Sequence, residues 1–468
     1  MVFSSLFFLF MFLPVVLLTQ HFVPGVRLKN IVVLAASLFF YAWGEPKWIF
    51  VMLLVTLIDY LAGRIIDRKR GTKAAKTALI LSIVLTLSTL IIFKYLNFFT
   101  ENIFSLFGSD FKTNIALPIG ISFYTFQAMS YVIDVYREDV KCQNNYAKLL
   151  LYVSMFPQLI AGPIVRYSDI EKEIEVRTVT FDKISYGITR FVIGLFKKAV
   201  FANFLGETAT MFLDGDLSQV SAVQGWFGII AYFFQIYFDF SGYSDMAIGL
   251  GRIMGFSFPE NFRYPYISKS ITEFWRRWHI TLSSFFRDYI YIPLGGNRKR
   301  HLLNMFVVWA LTGFWHGASW NFLLWGLYYF VLLVLEKKVY GKKLEKLPSF
   351  FQHLYSILAV IFGWVFFYYE DISKVGGLFK AMFGFNGFAQ AGDGTTVLNR
   401  IILIVAAVIA STPLVSDAVK QIISRIRKRK FGKETAQILT IIFQLITLFI
   451  CVAALVGSTY NPFLYFRF

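Results

Sequence analysis

Cysteine is nearly absent, with Cys142 and Cys451 the only two in 468 residues. Two thiols build neither a disulfide framework nor a cysteine-based metal site, and each reads as a small buried hydrophobe. Charge is scarce as well: 16% of residues are charged, against about 25% in soluble domains. No stretch matches a phosphate-binding loop, a dinucleotide fingerprint or a His-Glu-x-x-His metal site. Neither Ser241 nor Ser244 sits in a Gly-x-Ser-x-Gly nucleophile elbow. No metal and no bound cofactor are implied. Internal repeats, low-complexity segments and a soluble domain are also missing, and without an inverted repeat a transporter is disfavoured.

What is present is apolar. The chain is 57% hydrophobic and 19% aromatic, with a mean hydropathy of +0.60. A bilayer crossing needs about 20 apolar residues, and about ten to twelve runs approach that length. The expected fold is an all-α, polytopic membrane bundle around a central tunnel or funnel. It reads as one integral membrane domain: N-terminal spans in 1–114, a catalytic core with re-entrant segments in 115–340, and C-terminal spans in 341–468.

The net charge of +18 sits in short loops between apolar runs, the positive-inside pattern, which argues against nucleic acid. Residues 64–76 carry six Lys/Arg against one Asp, and residues 420–433 carry seven with no acid. Both are expected to be cytoplasmic loops. The first apolar run, 3–18, has no basic residue before it and no small-residue cleavage site after it. It reads as a retained span with an outside N-terminus.

Three stretches break the spanning pattern. Residues 149–165 are interrupted by Pro157, Gly162 and Pro163; irregular backbone at membrane depth must be buried in protein or line a cavity. A re-entrant segment is expected there, followed by a cytoplasmic loop over 166–183. Residues 261–300 mix eight Lys/Arg and two acids with aromatics, and read as amphipathic or re-entrant helix at the cytoplasmic face. Residues 302–335 are apolar with basic flanks at both ends, which two antiparallel helices joined near His316-Gly317 satisfy.

Two of the five histidines fall in or beside these greasy stretches, and an ionisable group at membrane depth is expensive and usually functional. His316 lies in Phe314-Trp-His-Gly-Ala-Ser-Trp320, where Trp315 and its neighbours can form an apolar slot for a small acyl group. The alternative is a structural histidine bonded between helices. His279 ends Trp275-Arg-Arg-Trp-His279. Arg276 and Arg277 with Trp275 and Trp278 make a cationic, aromatic mouth for a phosphorylated carrier, or else an ordinary interfacial helix. Glu273 can pair with Arg276 or Arg277 at helical spacing. Asp239 and Asp245 stand in an apolar span as proton or ion ligands or, preferably, as polar glue against Arg263, Arg276 or Arg277. Gln127, Asp134 and Gln158 read as interhelical polar contacts lining a cavity.

Six ordered motifs resemble the membrane-bound O-acyltransferase family, in its alginate O-acetyltransferase-like branch. They are Leu117-Pro-Ile-Gly-Ile-Ser-Phe-Tyr-Thr-Phe-Gln127, Phe156-Pro-Gln-Leu-Ile-Ala-Gly-Pro-Ile-Val-Arg166, Asp239-Phe-Ser-Gly-Tyr-Ser-Asp245, Pro259-Glu-Asn261-Phe262, the 275–296 block, and Trp315-His-Gly317. The ending 462–468 is similar to its C-termini. The resemblance implies catalysis by His316, with His279 as the second motif histidine, and donor- or acceptor-binding roles for Trp275, Arg276, Arg277, Trp278, Trp315, Asn261, Asp239 and Gln127. It implies acetyl-CoA as donor, a bacterial cytoplasmic membrane, and transfer toward an exported or cell-envelope polysaccharide. A separate extracytoplasmic SGNH-like acetyltransferase is the expected partner. A neutral imidazole serves as base toward a hydroxyl, and apolar surroundings disfavour its charged form. Two further readings stay open: D-alanyl transfer from a carrier protein to teichoic acid, and a transporter or flippase.

Overall fold

The computed structural model describes residues 1–109, 111, 113–458 and 463–464. Among them every regular element is helical. Among the described residues six helices are long and apolar enough to cross a membrane: Gly25–Gly44, Ile49–Arg68, Lys73–Leu106, Ser349–Tyr368, Asp393–Ala410 and Gly432–Gly457. Leu54, Leu57 and Leu61 on the second of these are exposed, as are Ile441, Leu445 and Phe449 on the last. That is the surface lipid requires, and the chain is a multi-pass membrane protein. The remaining apolar runs are helices too, but shorter, or carrying buried polar groups because protein rather than lipid surrounds them. Of the C-terminal motif 462–468, only Phe463 and Leu464 lie among the described residues.

Chain contacts divide the molecule into two units, Met1–Phe191 with Ser244–Glu260, and Val192–Tyr243 with Asn261–Phe468. The 33-residue helix Ala222–Met254 runs from the second into the first.

In the first unit, helix Ile121–Arg137 is buried along most of its length. It starts after Gly120, whose φ of +77° suits glycine, and a Cβ there would lie 2.6 Å from the Leu159 carbonyl. Leu159 belongs to the broken segment foreseen in the sequence. After helix Tyr146–Ser154 comes the short Phe156–Leu159, with Pro157 in its first turn, and then irregular chain to Arg166. Residues 149–165 are all buried, and side chains satisfy backbone groups within them: Phe156 N–H donates to Ser37 Oγ at 3.1 Å, and the Tyr152 hydroxyl donates to the Val165 carbonyl at 3.0 Å. Part of the expected loop 166–183 is instead helix Tyr167–Glu175, whose start is fixed by Asp169 accepting the Arg166 N–H at 2.8 Å. Its spacing of Tyr167, Ile170 and Ile174 on one buried face outweighs its charge.

The second unit has an aromatic core in which Tyr237, Tyr266, Phe274, Trp278, Trp325 and Trp364 interlock. The expected hairpin is there: His301–His316 and Trp320–Leu335 run antiparallel. Glycine lets them touch. A Cβ on Gly313 would collide with the Phe322 carbonyl, and one on Gly326 with the Trp309 carbonyl. The basic stretch 420–433, expected as a loop, is for half its length the end of helix Leu414–Arg427. An apolar stripe at helical spacing, not its charge, decides its conformation.

Gly326→Val should therefore collapse the yield of monodisperse protein in mild detergent or lower its thermal midpoint, consistent with an overpacking cost of about 1–3 kcal/mol or more. Gly376→Ala, where a Cβ meets nothing within 4 Å, should behave as wild type. Equal stability of the two variants would contradict the hairpin packing.

Candidate active site

His316 is the last residue of its helix, and the chain leaves through Gly317 in extended conformation. A Cβ on Gly317 would enter the Phe322 ring, so glycine here brings ring and turn together. Asn321, fully buried, fastens the turn to the end of helix Ser349–Tyr368. Its amide donates to the Phe366 carbonyl at 3.1 Å and to the Tyr369 carbonyl, while its oxygen accepts the Ser319 hydroxyl at 2.6 Å. Phe367 is thereby set against His316. The imidazole is 5% exposed, with ring centroids of Trp315 and Trp325 at 4.9 Å and Phe367 at 5.1 Å.

Beside His316 is a cavity of about 20 Å³ lined by Asp239, Phe240, Trp278, Trp325, Trp364, Phe367 and Leu464, among others. That is room for roughly one water. Phe367 and Leu464 also line a much larger funnel of about 440 Å³, walled by Tyr232, Tyr368 and Tyr369 and edged by Asp214, Glu370, Asp371 and Lys374. Phe367 and Leu464, shared by the two, form a floor between the funnel and the cavity beside His316.

Asp239 reaches this floor but pairs with none of the arginines proposed from sequence. Its Oδ1 is 2.6 Å from Lys198 Nζ, both side chains nearly fully buried, and its Oδ2 accepts the Leu464 N–H at 2.9 Å. The partner is dictated by helix packing: Gly242 lies so close to the neighbouring helical segment that a Cβ there would stand 2.8 Å from the Gly194 carbonyl. That proximity brings Lys198 alongside Asp239. Asp245 is glue in the other unit, bonded by Arg190 Nε at 2.7 Å, while the same guanidinium forks onto Glu260 at 2.9 and 2.6 Å.

His279 lies outside the six membrane-length helices. It starts helix Ile280–Phe286 with φ +43°, a left-handed conformation uncommon for a side-chain-bearing residue. Its Nδ1 is 3.1 Å from Asn261 Oδ1, which also accepts the Thr281 hydroxyl at 2.9 Å and the Thr281 N–H at 3.4 Å. A backbone N–H only donates, so the Asn261 atom is the oxygen. It follows that Nδ1 carries the ring proton and Nε2 is the basic nitrogen. Burial pushes the imidazole pKa down to about 3, leaving a neutral ring. Trp315 stands between the two histidines, 6.0 Å from His279 and 4.9 Å from His316 between ring centroids.

The other motif residues separate by chemistry. Trp275 and Trp278 point into the core, Trp275 packing on Trp309 and Tyr329, and Trp278 on Trp364. Arg276 is exposed. Arg277 pairs with Glu273 at 2.8 Å and donates to the Arg263 carbonyl at 3.1 Å. Gln127 is buried in the first unit, where its carbonyl accepts the Tyr152 hydroxyl. Sequence reasoning missed Glu336, Asn321 and Lys198. Glu336 accepts the N–H groups of Ile271 and Thr272 at 2.5 and 2.9 Å and the Thr272 hydroxyl at 2.6 Å, so it anchors the start of helix Ile271–Arg277. A lone acid beside Lys337 and Lys338 reads as part of a basic flank, which hid it. Lys198 was findable, as a charge inside an apolar run.

Residues 137–373 match the pattern of "MBOAT, membrane-bound O-acyltransferase family". A protein named probable alginate O-acetylase AlgI from Pseudomonas putida is 38% identical over 494 aligned positions, spanning 100% of both chains. One of the same name from Pseudomonas aeruginosa is 43% identical, over 82% of this chain and 75% of that one. A peptidoglycan O-acetyltransferase from Helicobacter pylori is 34% identical, over 86% of this chain and 84% of its own.

Solid-state NMR of protein carrying nitrogen-15 histidine should show His279 as the neutral Nδ1–H tautomer throughout pH 6–8. Titration near the ordinary imidazole value of about 6.5, or an Nε2–H tautomer, would contradict the assignment.

Proposed function

The chain belongs to the membrane-bound O-acyltransferase family, and we propose that it moves an acetyl group from acetyl-CoA on the cytoplasmic side to a hydroxyl acceptor that enters the funnel from outside. The observation that carries this reading is the position of His316 behind the funnel floor, in a cavity with room for roughly one water. Orientation follows from charge: residues 64–76 and 420–433 are the most basic segments and take the cytoplasmic side. The funnel edge, with Asp214, Glu370 and Asp371, then faces outward. The Tyr368 hydroxyl bonds Asp214 at 2.5 Å, so the two edge segments share that side.

In this reading His316 is the general base. It takes the proton of the acceptor hydroxyl as that oxygen forms a bond to the acetyl carbonyl carbon. The carbon–sulfur bond of the thioester breaks, and the leaving thiolate is protonated in turn. Aromatic walls exclude water that would otherwise hydrolyse the thioester. His279, neutral and protonated at Nδ1, is the second histidine of the site, across Trp315 from His316. Asn261 serves as its positioning residue, while Trp278 and Asp239 line the cavity and Trp275 supports it by packing on Trp325. The roles of Arg276 and Arg277 fall to the donor side, where cations suit the phosphates of coenzyme A.

Relatives named for alginate and for peptidoglycan O-acetylation support an exported or cell-envelope polysaccharide as the final acceptor. A separate extracytoplasmic acetyltransferase of the SGNH type would complete delivery. The membrane is the cytoplasmic membrane of a bacterium, with the N-terminus outside.

His316→Ala should lower polymer O-acetylation by about 10²-fold or more, the usual contribution of a general base, with the amount of protein in the membrane unchanged. Mass spectrometry of the released esters reads this directly. Retained acetate in the variant would overturn the role of His316. Alanine in place of acetate in the wild type would replace the acetyl reading with D-alanyl transfer.

A further inference from the structure

The basic stretch 420–433 takes no part in the transfer just described. It begins on helix Leu414–Arg427, which lies in the chain between the membrane-length helices Asp393–Ala410 and Gly432–Gly457. None of this helix's residues is buried. At about 100° per residue, Val415, Ala418, Val419, Ile422 and Ile426 fall on one side, and Asp417, Lys420, Ser424 and Arg427 on the other. Val415, Val419 and Ile422 are each more than half exposed. An apolar helix face held open between two membrane crossings is the pattern of a helix lying in the interface.

Charge identifies what meets it. Arg425, Arg427, Lys428, Arg429, Lys430 and Lys433 fall within nine residues of one another, and no acid lies between 420 and 433. A cation cluster of this density on an amphipathic segment next to a membrane span suits phosphate headgroups, which arginine grips with two parallel hydrogen bonds. The helix is also tied to the candidate site. Ser416 Oγ in its first turn is 2.8 Å from the Tyr264 hydroxyl. Tyr264 holds a left-handed φ of +48° three residues after Asn261, and the neighbouring Arg263 N–H donates to the Arg277 carbonyl at 2.9 Å.

We propose that helix Leu414–Arg427 lies in the membrane plane, that it and the cations after it bind anionic phospholipid, and that this docking steadies the 261–267 loop that holds His279. The second half rests on the acyl-transfer reading; the lipid binding does not.

The test uses the full chain in nanodiscs containing phosphatidylcholine and phosphatidylglycerol, with tightly bound lipid counted by native mass spectrometry. The ratio of bound phosphatidylglycerol to bound phosphatidylcholine should exceed the bulk ratio about tenfold. The variant K428Q/R429Q/K430Q/K433Q should lose that enrichment at an unchanged thermal midpoint. Should it not fold, the pairs K428Q/R429Q and K430Q/K433Q should each lose part of it. Equal enrichment in variant and wild type overturns the docking. With a hydroxyl-bearing oligosaccharide supplied as acceptor, thiol release from acetyl-CoA should rise with phosphatidylglycerol in the wild type, and Tyr264→Phe should keep the lipid enrichment while losing that rise. A variant as lipid-sensitive as wild type overturns the coupling alone. If the wild type releases no thiol, the acyl-transfer reading fails and the lipid count still decides the docking.

Discussion

A polar group taken out of water must be enclosed and satisfied by protein, and the architecture around the buried His316 follows from that requirement. The imidazole is edged by three aromatic rings rather than by lipid. Each ring is placed by an unrelated device: Trp315 by adjacency, Trp325 by the glycine contact of the hairpin, and Phe367 by the Asn321 clamp on the neighbouring helix. Loss of any one would open the floor or let the ring turn. The same enclosure leaves about 20 Å³ beside the histidine, too little to admit bulk water.

Buried polar pairs serve this enclosure in a second way. Lys198–Asp239 would be a costly pair to bury for stability alone, because desolvation offsets much of the attraction. Here the carboxylate has a second use: its other oxygen holds the Leu464 N–H where the cavity and the funnel meet. Glu336 acts similarly at the start of helix Ile271–Arg277, satisfying two backbone N–H groups that would otherwise be buried and unpaired. That helix leads directly into the strained His279, whose ring is oriented by Asn261.

Much of the scaffold was legible in the sequence because its signals are local. The hairpin at His316-Gly317 follows from basic flanks and apolar length, and the break at Pro157 from proline and glycine punctuation. The amphipathic helix Leu414–Arg427 shows where charge alone misleads: a dense basic run reads as a loop until its apolar spacing is counted. What stayed hidden depends on long-range packing. Nothing near Asp239 in the sequence points to Lys198, 41 positions earlier, rather than to nearby arginines. Nothing near Asn321 points to Phe366. The exposed Arg276 beside the buried Trp275 likewise follows from which face of a seven-residue helix meets the core, a choice set by the aromatic cluster and not by the motif.

The central claim is that transfer takes place at His316, on the floor between the funnel and the donor side. An experimental structure of the full chain with a non-hydrolysable thioether analogue of acetyl-CoA tests it most directly. The account predicts the acyl carbon at the aromatic floor, with His316 close enough to take a proton from a hydroxyl approaching within about 3–3.5 Å of that carbon. An analogue whose acyl end lies away from this floor, with His316 still enclosed by its three rings, would contradict it.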